Sequence, residues 1–490
     1  MIAHEMSYAR RGGLSLLALF CIGWVLLVDC RVAVAAPPAR PLTTGVSYVY
    51  DESVAAFEHV QRAGAKLVQT PLRWGDVIAP KRQPASWRPE DPADPNYDWA
   101  EYDLWVTRAV QAGLTPVLQV RGAPAWAQRC RFISYDAPCN PDPAALAAFT
   151  TAAVRRYSGH FGGLPRVRYW QGLNEPNLSL FFNPQFDEAG QPASPDLYRD
   201  LINAFYSAVK SVDPSNLVIA AGLGPIAVPP YTIGPMRFAR ELLCMRGLSL
   251  LPGDCHGGVH FDIFDVHPYT TGGPTHAGGM NDVQMGDLAK LQRLLRAADS
   301  AGRIKGAFRR TPLWVTELSW DSNPPDPGGL AMRIESRWTA EALHEAWKAG
   351  VSNFFWFSLR DFPPDPDRPF SMTLQSGLYF RGPTVAEDQP KDFLYAFRFP
   401  FVAYPVQKGI SFWGRTPSSG RGRVTIQLRR RGRWHKAFVA RANRYGIFSG
   451  VIGTGYGRHK RGAARGVFRK ESALPFSMRP VKDFPQPPFG

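Results

Sequence analysis

Tyr169-Trp170-Gln171-Gly172-Leu173-Asn174-Glu175-Pro176-Asn177 and, far downstream, Leu313-Trp314-Val315-Thr316-Glu317-Leu318-Ser319-Trp320 share one design. Each is a short apolar run, rich in aromatic and β-branched residues, that ends on a glutamate with polar or aromatic neighbours. A buried parallel strand reads this way where it emerges at a site. Two such glutamates are what cleavage of a glycosidic bond needs: one gives a proton to the leaving oxygen, and the other attacks or stabilises the developing sugar cation. A lone strand-end Glu would be read as an ion pair or a helix cap, so it is the pairing that turns the reading towards chemistry.

Outward from these runs the chain alternates strand, loop, helix and glycine. Strands are predicted over 44–50, 66–74, 115–120, 167–173, 217–221, 261–266, the run into Glu317, and 353–359. Amphipathic helices are predicted over 52–63, 99–112, 143–157, 195–212, 286–301 and 333–349. Such alternation argues for βαβ units, and eight strands with interleaved connections close a (β/α)8 barrel whose chemistry sits at the C-terminal ends of its strands. Arg73, Trp126, Glu175, His267, Tyr269, Glu317 and Trp320 all fall at or just beyond such ends, and Trp356 lies on the eighth strand.

Asn174-Glu175-Pro176 and Thr316-Glu317 resemble the signature of the clan A retaining glycoside hydrolases, and within that clan the family 39 type most, family 5 second. The resemblance spans residues 42–382. It implies a secreted, metal-independent and cofactor-free glycosidase acting by double displacement. Glu175 would be the acid/base, Glu317 the nucleophile, and Asn174 the side chain that hydrogen-bonds the sugar 2-hydroxyl. His267 and Tyr269 would line the nucleophile side, and Trp356 would floor the first sugar subsite. Arg73 is expected to hydrogen-bond Glu317 and keep it charged. Trp126 and Trp320 are candidates for stacking on sugar. Plain packing is the alternative for each Trp, and a satisfied core histidine is the alternative for His267. A binding barrel without turnover and a transglycosylase are the rival functions.

The 490 residues, 45% hydrophobic and 12% aromatic, suffice for a barrel and a smaller second domain. Arg10-Arg11, an apolar run over 14–28 and Ala33-Val34-Ala35-Ala36 follow the order of a secretory signal over 1–36. An uncleaved anchor is the alternative, and the only predicted route to a membrane. Cys21 and Cys30 would leave with the signal. Cys130 with Cys139, and Cys244 with Cys255, then read as local disulfides, with zinc ligation as the rival. The barrel is assigned to 37–382, and the short alternating segments of 383–490 to an antiparallel β-sandwich.

Residues 383–490 hold 21 Lys/Arg against 5 Asp/Glu, a balance of +16 that equals the net charge of the whole chain. Such a domain either attracts an acidic polymer, such as an anionic cell-surface glycan, or presents a solvated basic face. Nucleic acid is not an expected partner, because no recognition motif accompanies the charge. Long loops after strands two, four and six would wall a cleft, so the expected substrate is an extracellular or cell-wall oligo- or polysaccharide. Endo action is expected and exo action is the near alternative.

Overall fold

Eight parallel strands form a closed barrel: β1 (Thr43–Ser47), β2 (Leu67–Arg73), β3 (Thr115–Arg121), β4 (Tyr169–Gly172), β5 (Leu217–Leu223), β6 (Ile263–Val266), β7 (Leu313–Val315) and β8 (Val351–Phe357). Each pairs with its sequence neighbours, and β8 pairs back onto β1 with Thr43 opposite Asn353 and Ser47 opposite Phe357. The computed structural model describes residues 40–489 apart from 79–82, 131–133, 135, 254, 256, 368, 369, 371–373, 408, 418 and 454–461. The signal segment, Cys21, Cys30 and the Arg458 to Arg461 run lie outside the described residues.

The strands are near-continuous apolar runs because both of their faces are covered. Alternate residues point inward, where Leu67, Val117, Leu217, Ile219, Ile263, Trp314 and Phe355 plug the barrel. Gly45 makes room for that plug, since a Cβ there would sit 2.4 Å from the Phe355 ring. Residues of opposite parity, among them Trp170, Val218, Phe354 and Trp356, join the shell between sheet and helices.

The helices begin and end where side chains satisfy free backbone groups. Ser53 accepts from Ala56 N to open α1 (Val54–Arg62), and Asp142 accepts from Ala144 N and Ala145 N to open α3 (Pro143–Arg156), with α2 (Ala100–Gln111) between them. There follow α4 (Ser194–Val212), α5 (Pro235–Leu242), α6 (Leu288–Ser300), α7 (Met332–Ala349) and α8 (Asp392–Arg398). Gly350, at φ 93°, ends α7 in the left-handed conformation that glycine adopts without steric cost.

Two of these helices went unpredicted. The eight residues of α5 lie in a Pro/Gly-rich stretch, and the seven of α8 fall in a region read as the start of the sandwich. Phe393 and Phe397 of α8 pack on Trp356, with ring centroids 5.1 and 6.2 Å away.

Beyond α8 two antiparallel sheets form. One has the order β9 (Phe401–Val406), β10 (Gly409–Arg415), β13 (Ile447–Gly453). The other has β12 (Arg433–Ala442), β11 (Gly422–Arg430), β14 (Ala463–Phe468), with two short strands on the β14 edge. Trp413 packs on His344 and Trp347 of α7, and Arg337 of α7 donates to Ser477 O at 2.7 Å with its guanidinium over the Phe476 ring. Arg415 is fully buried where sandwich meets barrel, donating to Leu42 O and Phe397 O, and burial pushes its pKa down to about 10. Cys130–Cys139 and Cys244–Cys255 are disulfides, with Cα separations of 5.5 and 5.9 Å. No described helix is long and apolar enough to cross a membrane.

Candidate active site

One step above the apolar plug, the inward positions turn polar. Gln69, Gln119, Gln171 and Asp265 form a buried layer in which Gln69 Nε2 donates to Gln171 Oε1 at 2.5 Å and Gln171 Nε2 donates to Asp265 Oδ2 at 3.0 Å. Gln119 Nε2 donates to Asn174 Oδ1 at 3.0 Å. Asp265 also accepts from Thr316 N at 3.0 Å and from the Thr316 hydroxyl, which fixes the residue before Glu317. This layer is the platform on which the two glutamates stand.

The sequence-predicted residues Glu175, Glu317, His267 and Tyr269 come together on it. His267 Nδ1 lies 2.9 Å from Glu175 Oε1 and 3.6 Å from Glu317 Oε2, while its Nε2 lies 3.0 Å from Thr316 Oγ1. The Tyr269 hydroxyl donates to Glu317 Oε2 at 3.1 Å. One donor atom from each of Glu175, His267 and Glu317 lies within 4.8 Å of the other two. Glu175 sits at φ 40°, a sparsely allowed left-handed conformation for a residue with a Cβ, and its N–H donates to Gly222 O. Glu317 is 6% exposed, and its Oε1 has no hydrogen-bond partner among the described residues.

Burial pushes the Glu317 carboxyl up to about 7; the charge of His267 opposes the rise, that of Glu175 adds to it, and Arg121 and the Tyr269 hydroxyl oppose it. The sequence expectation was an ionised Glu317 at neutrality, and the buried setting offsets that. Burial alone would lower His267, but Glu317, Asp265 and Glu175 overcome it and hold the imidazole well above its usual range. The acidic groups around the ring therefore favour its charged form.

Gly222, at φ 55°, lets the β5 backbone pass under this cluster. A Cβ there would stand 2.8 Å from Gln171 Nε2 and 3.1 Å from both Asp265 Oδ2 and His267 Nε2. Gly222→Ala is expected to destabilise the fold by about 2 kcal/mol or more, strain and overpacking adding. Thermal denaturation checks this, and an unchanged Tm would contradict it.

Other predicted residues lie elsewhere. Arg73 faces Asp76 and Asp136 at 3.8 and 3.9 Å. The guanidinium whose charge reaches Glu317 is that of Arg121, at the end of β3, which donates to the Tyr48 hydroxyl at 2.6 Å. Trp356 is fully buried, donating to Ser376 O and packed on α8, so it floors no sugar. Its neighbour Phe357 has the inward parity and lies against Tyr48, with centroids 4.7 Å apart. Trp320 is fully buried too, donating to Gly272 O. Trp126 packs edge-on against Trp74 and Trp87 in an aromatic cluster beside α3.

Sequence reading missed Arg121, Tyr48, Asp265 and Phe357. It also missed Phe489. After the sandwich the chain returns to the barrel mouth, where Gln486 N donates to Thr271 O and Asp321 N donates to Pro488 O, tying together the loops after β6 and β7. This brings the Phe489 ring to 5.0 Å from that of Tyr269.

Among solved structures, the chain is similar to a family 39 glycoside hydrolase from the gut symbiont Bacteroides cellulosilyticus WH2, with 16% identity, 84% of this chain and 79% of that one covered, and a TM-score of 0.53. A family 39 enzyme from Xanthomonas axonopodis pv. citri matches at 15% identity over 86% and 93% of the two chains, with a TM-score of 0.49. A glucosidase from Croceicoccus marinus matches at 15% over 85% and 94%, with a TM-score of 0.46. No family model matches the sequence, and neither does any curated protein. In fold, then, the chain is a (β/α)8 barrel with a C-terminal β-sandwich of the kind found in a family 39 glycoside hydrolase, the family its two glutamate motifs resemble.

Proposed function

We propose that the protein is a retaining glycoside hydrolase that acts on an extracellular or cell-wall oligo- or polysaccharide. The observation that carries this reading is the placement of Glu175 and Glu317 at the barrel mouth with a carboxylate oxygen of each within 4.8 Å. Two carboxyl groups about 5 to 5.5 Å apart serve a double displacement, and an inverting enzyme needs a wider gap to fit a water. Glu175 protonates the glycosidic oxygen as that bond breaks, and Glu317 Oε1, the oxygen with no other partner among the described residues, forms the bond to the anomeric carbon. Water then attacks that carbon, giving its proton to Glu175 and releasing Glu317. Arg121 and Tyr269 stabilise the nucleophile's charge, and Asn174, steered by Gln119, is placed for the sugar 2-hydroxyl.

A cleft of about 360 Å³ is lined by Tyr48, Tyr50, Leu359, Phe362 and Arg381; neither Glu175 nor Glu317 lines it, and Tyr48 is the residue it shares with the site. Two disulfides and the leader-like segment 1–36 support export to an oxidising compartment.

The test is turnover of an aryl glycoside panel followed by proton NMR of the first-formed sugar. Release with the starting anomeric configuration is expected. Binding of a glycan with no turnover on aryl glycosides or polysaccharides would overturn the reading. A pH dependence follows as well. The rise of Glu317 to about 7 means that the carboxyl pair keeps one proton between them until about that pH. The active form needs that proton on Glu175, so kcat/KM is expected to fall about tenfold per unit above pH 7. A rate still climbing at pH 8 would contradict this.

A further inference from the structure

We infer that the outer face of the sheet β12-β11-β14 is a binding surface for an acidic polysaccharide. Alternation sends Val424, Ile426, Leu428, Ala440, Ala464 and Phe468 into the sandwich core. The opposite positions present Arg423 and Arg429 on β11, Lys436 and Arg441 on β12, and Arg465 on β14, with Trp434 among them. None of the three strands contains an Asp or Glu. The nearest downstream acid, Glu471, is taken up by Arg398 at 2.8 and 2.9 Å.

The register concentrates this charge. Arg423 stands directly opposite Arg441, and Gln427 is flanked by Lys436 on one side and Arg465 on the other. Like charges directly opposite one another across a sheet destabilise it. A face whose only task is solubility has no need of that arrangement, whereas an elongated anion lying across the strands relieves it.

Trp434 supplies the second element. The Arg465 guanidinium lies 4.3 Å from the centroid of its ring and is held in place by a 2.8 Å bond from Nε to Gln427 Oε1. The guanidinium lies over the ring, and the pair forms one fixed cation–π unit that holds a positive charge where the carboxylate of a sugar acid can pair with it. From Arg423 to Arg429 the face runs about 20 Å at the rise of a β-strand, a length matched to a chain and not to a single ion.

The inference does not depend on turnover, because binding is measured directly. The full-length protein is run in affinity electrophoresis through gels holding polygalacturonate, with neutral laminarin, duplex DNA and phosphatidylglycerol vesicles as parallel probes. Retardation by polygalacturonate is expected, weakening about tenfold or more in apparent affinity between 50 and 200 mM salt as charges are screened. Arg423→Ser/Lys436→Ser/Arg441→Ser is expected to weaken it at least tenfold without lowering Tm, since the opposed charges are removed, and without changing the barrel's activity. Trp434→Ala is expected to lose polygalacturonate while keeping a residual, purely electrostatic hold on the vesicles. No retardation by polygalacturonate, equal retention by laminarin, tighter binding to DNA or vesicles, or an undiminished triple variant would each overturn the inference.

Discussion

Glu317→Gly is expected to lower kcat on an aryl glycoside by about 10⁴-fold or more, the scale on which removal of a covalent nucleophile costs an enzyme, and sodium azide is expected to restore turnover. The argument is one of space and charge. Glu317 is buried beside the Tyr269 hydroxyl and the His267 imidazolium. Glycine leaves a hole there of about the size of a carboxylate, next to a cation, which a small anion can fill. Azide then bonds to the anomeric carbon from the face Glu317 would have used, while Glu175 still protonates the departing oxygen. The product is a glycosyl azide of inverted configuration. If azide has no effect, or the glycine variant keeps its activity, Glu317 is not the nucleophile.

Glu175→Ala is expected to cost about 10² to 10⁴-fold on substrates whose leaving group needs a proton, the range for a positioned general acid, and far less on a dinitrophenyl glycoside, whose leaving group departs without one. The residue is held for this task at a conformational cost, at φ 40° with its N–H on Gly222 O and its carboxylate 2.9 Å from His267 Nδ1. The decline in kcat/KM above pH 7 should vanish with it, because the pair no longer has a proton to lose. A series of phenyl glycosides of graded acidity reads both effects. Equal losses across the series would assign Glu175 to binding and not to proton transfer.

The barrel and its two glutamates were legible because each strand signals by itself as a short apolar run, and two of these runs lead into Asn174-Glu175-Pro176 and Thr316-Glu317. Parity within a strand was legible too, but was not used. Trp314 and Phe355 plug the barrel, so residues two further on face the mouth, which selects Phe357 over Trp356. The same count along β3 from Val117 leads through Gln119 to Arg121. Arg73 has inward parity as well, and nothing local distinguishes it from Arg121, because the choice depends on which strand end faces β7 across the barrel; Asp136 does not decide it, lying 3.9 Å from Arg73 and 3.6 Å from Arg121. Phe489 carries no local signal at all. It reaches Tyr269 because the chain comes back from the sandwich, a contact set by tertiary path and not by pattern.

The most direct test of the double displacement is to trap its intermediate. The protein is incubated with an activated 2-deoxy-2-fluoroglycoside of whichever sugar the aryl panel identifies, digested, and the labelled peptide sequenced by mass spectrometry. One sugar per chain, attached to Glu317, is the predicted result. A label on Glu175, or no label together with an inverted product, would contradict the account.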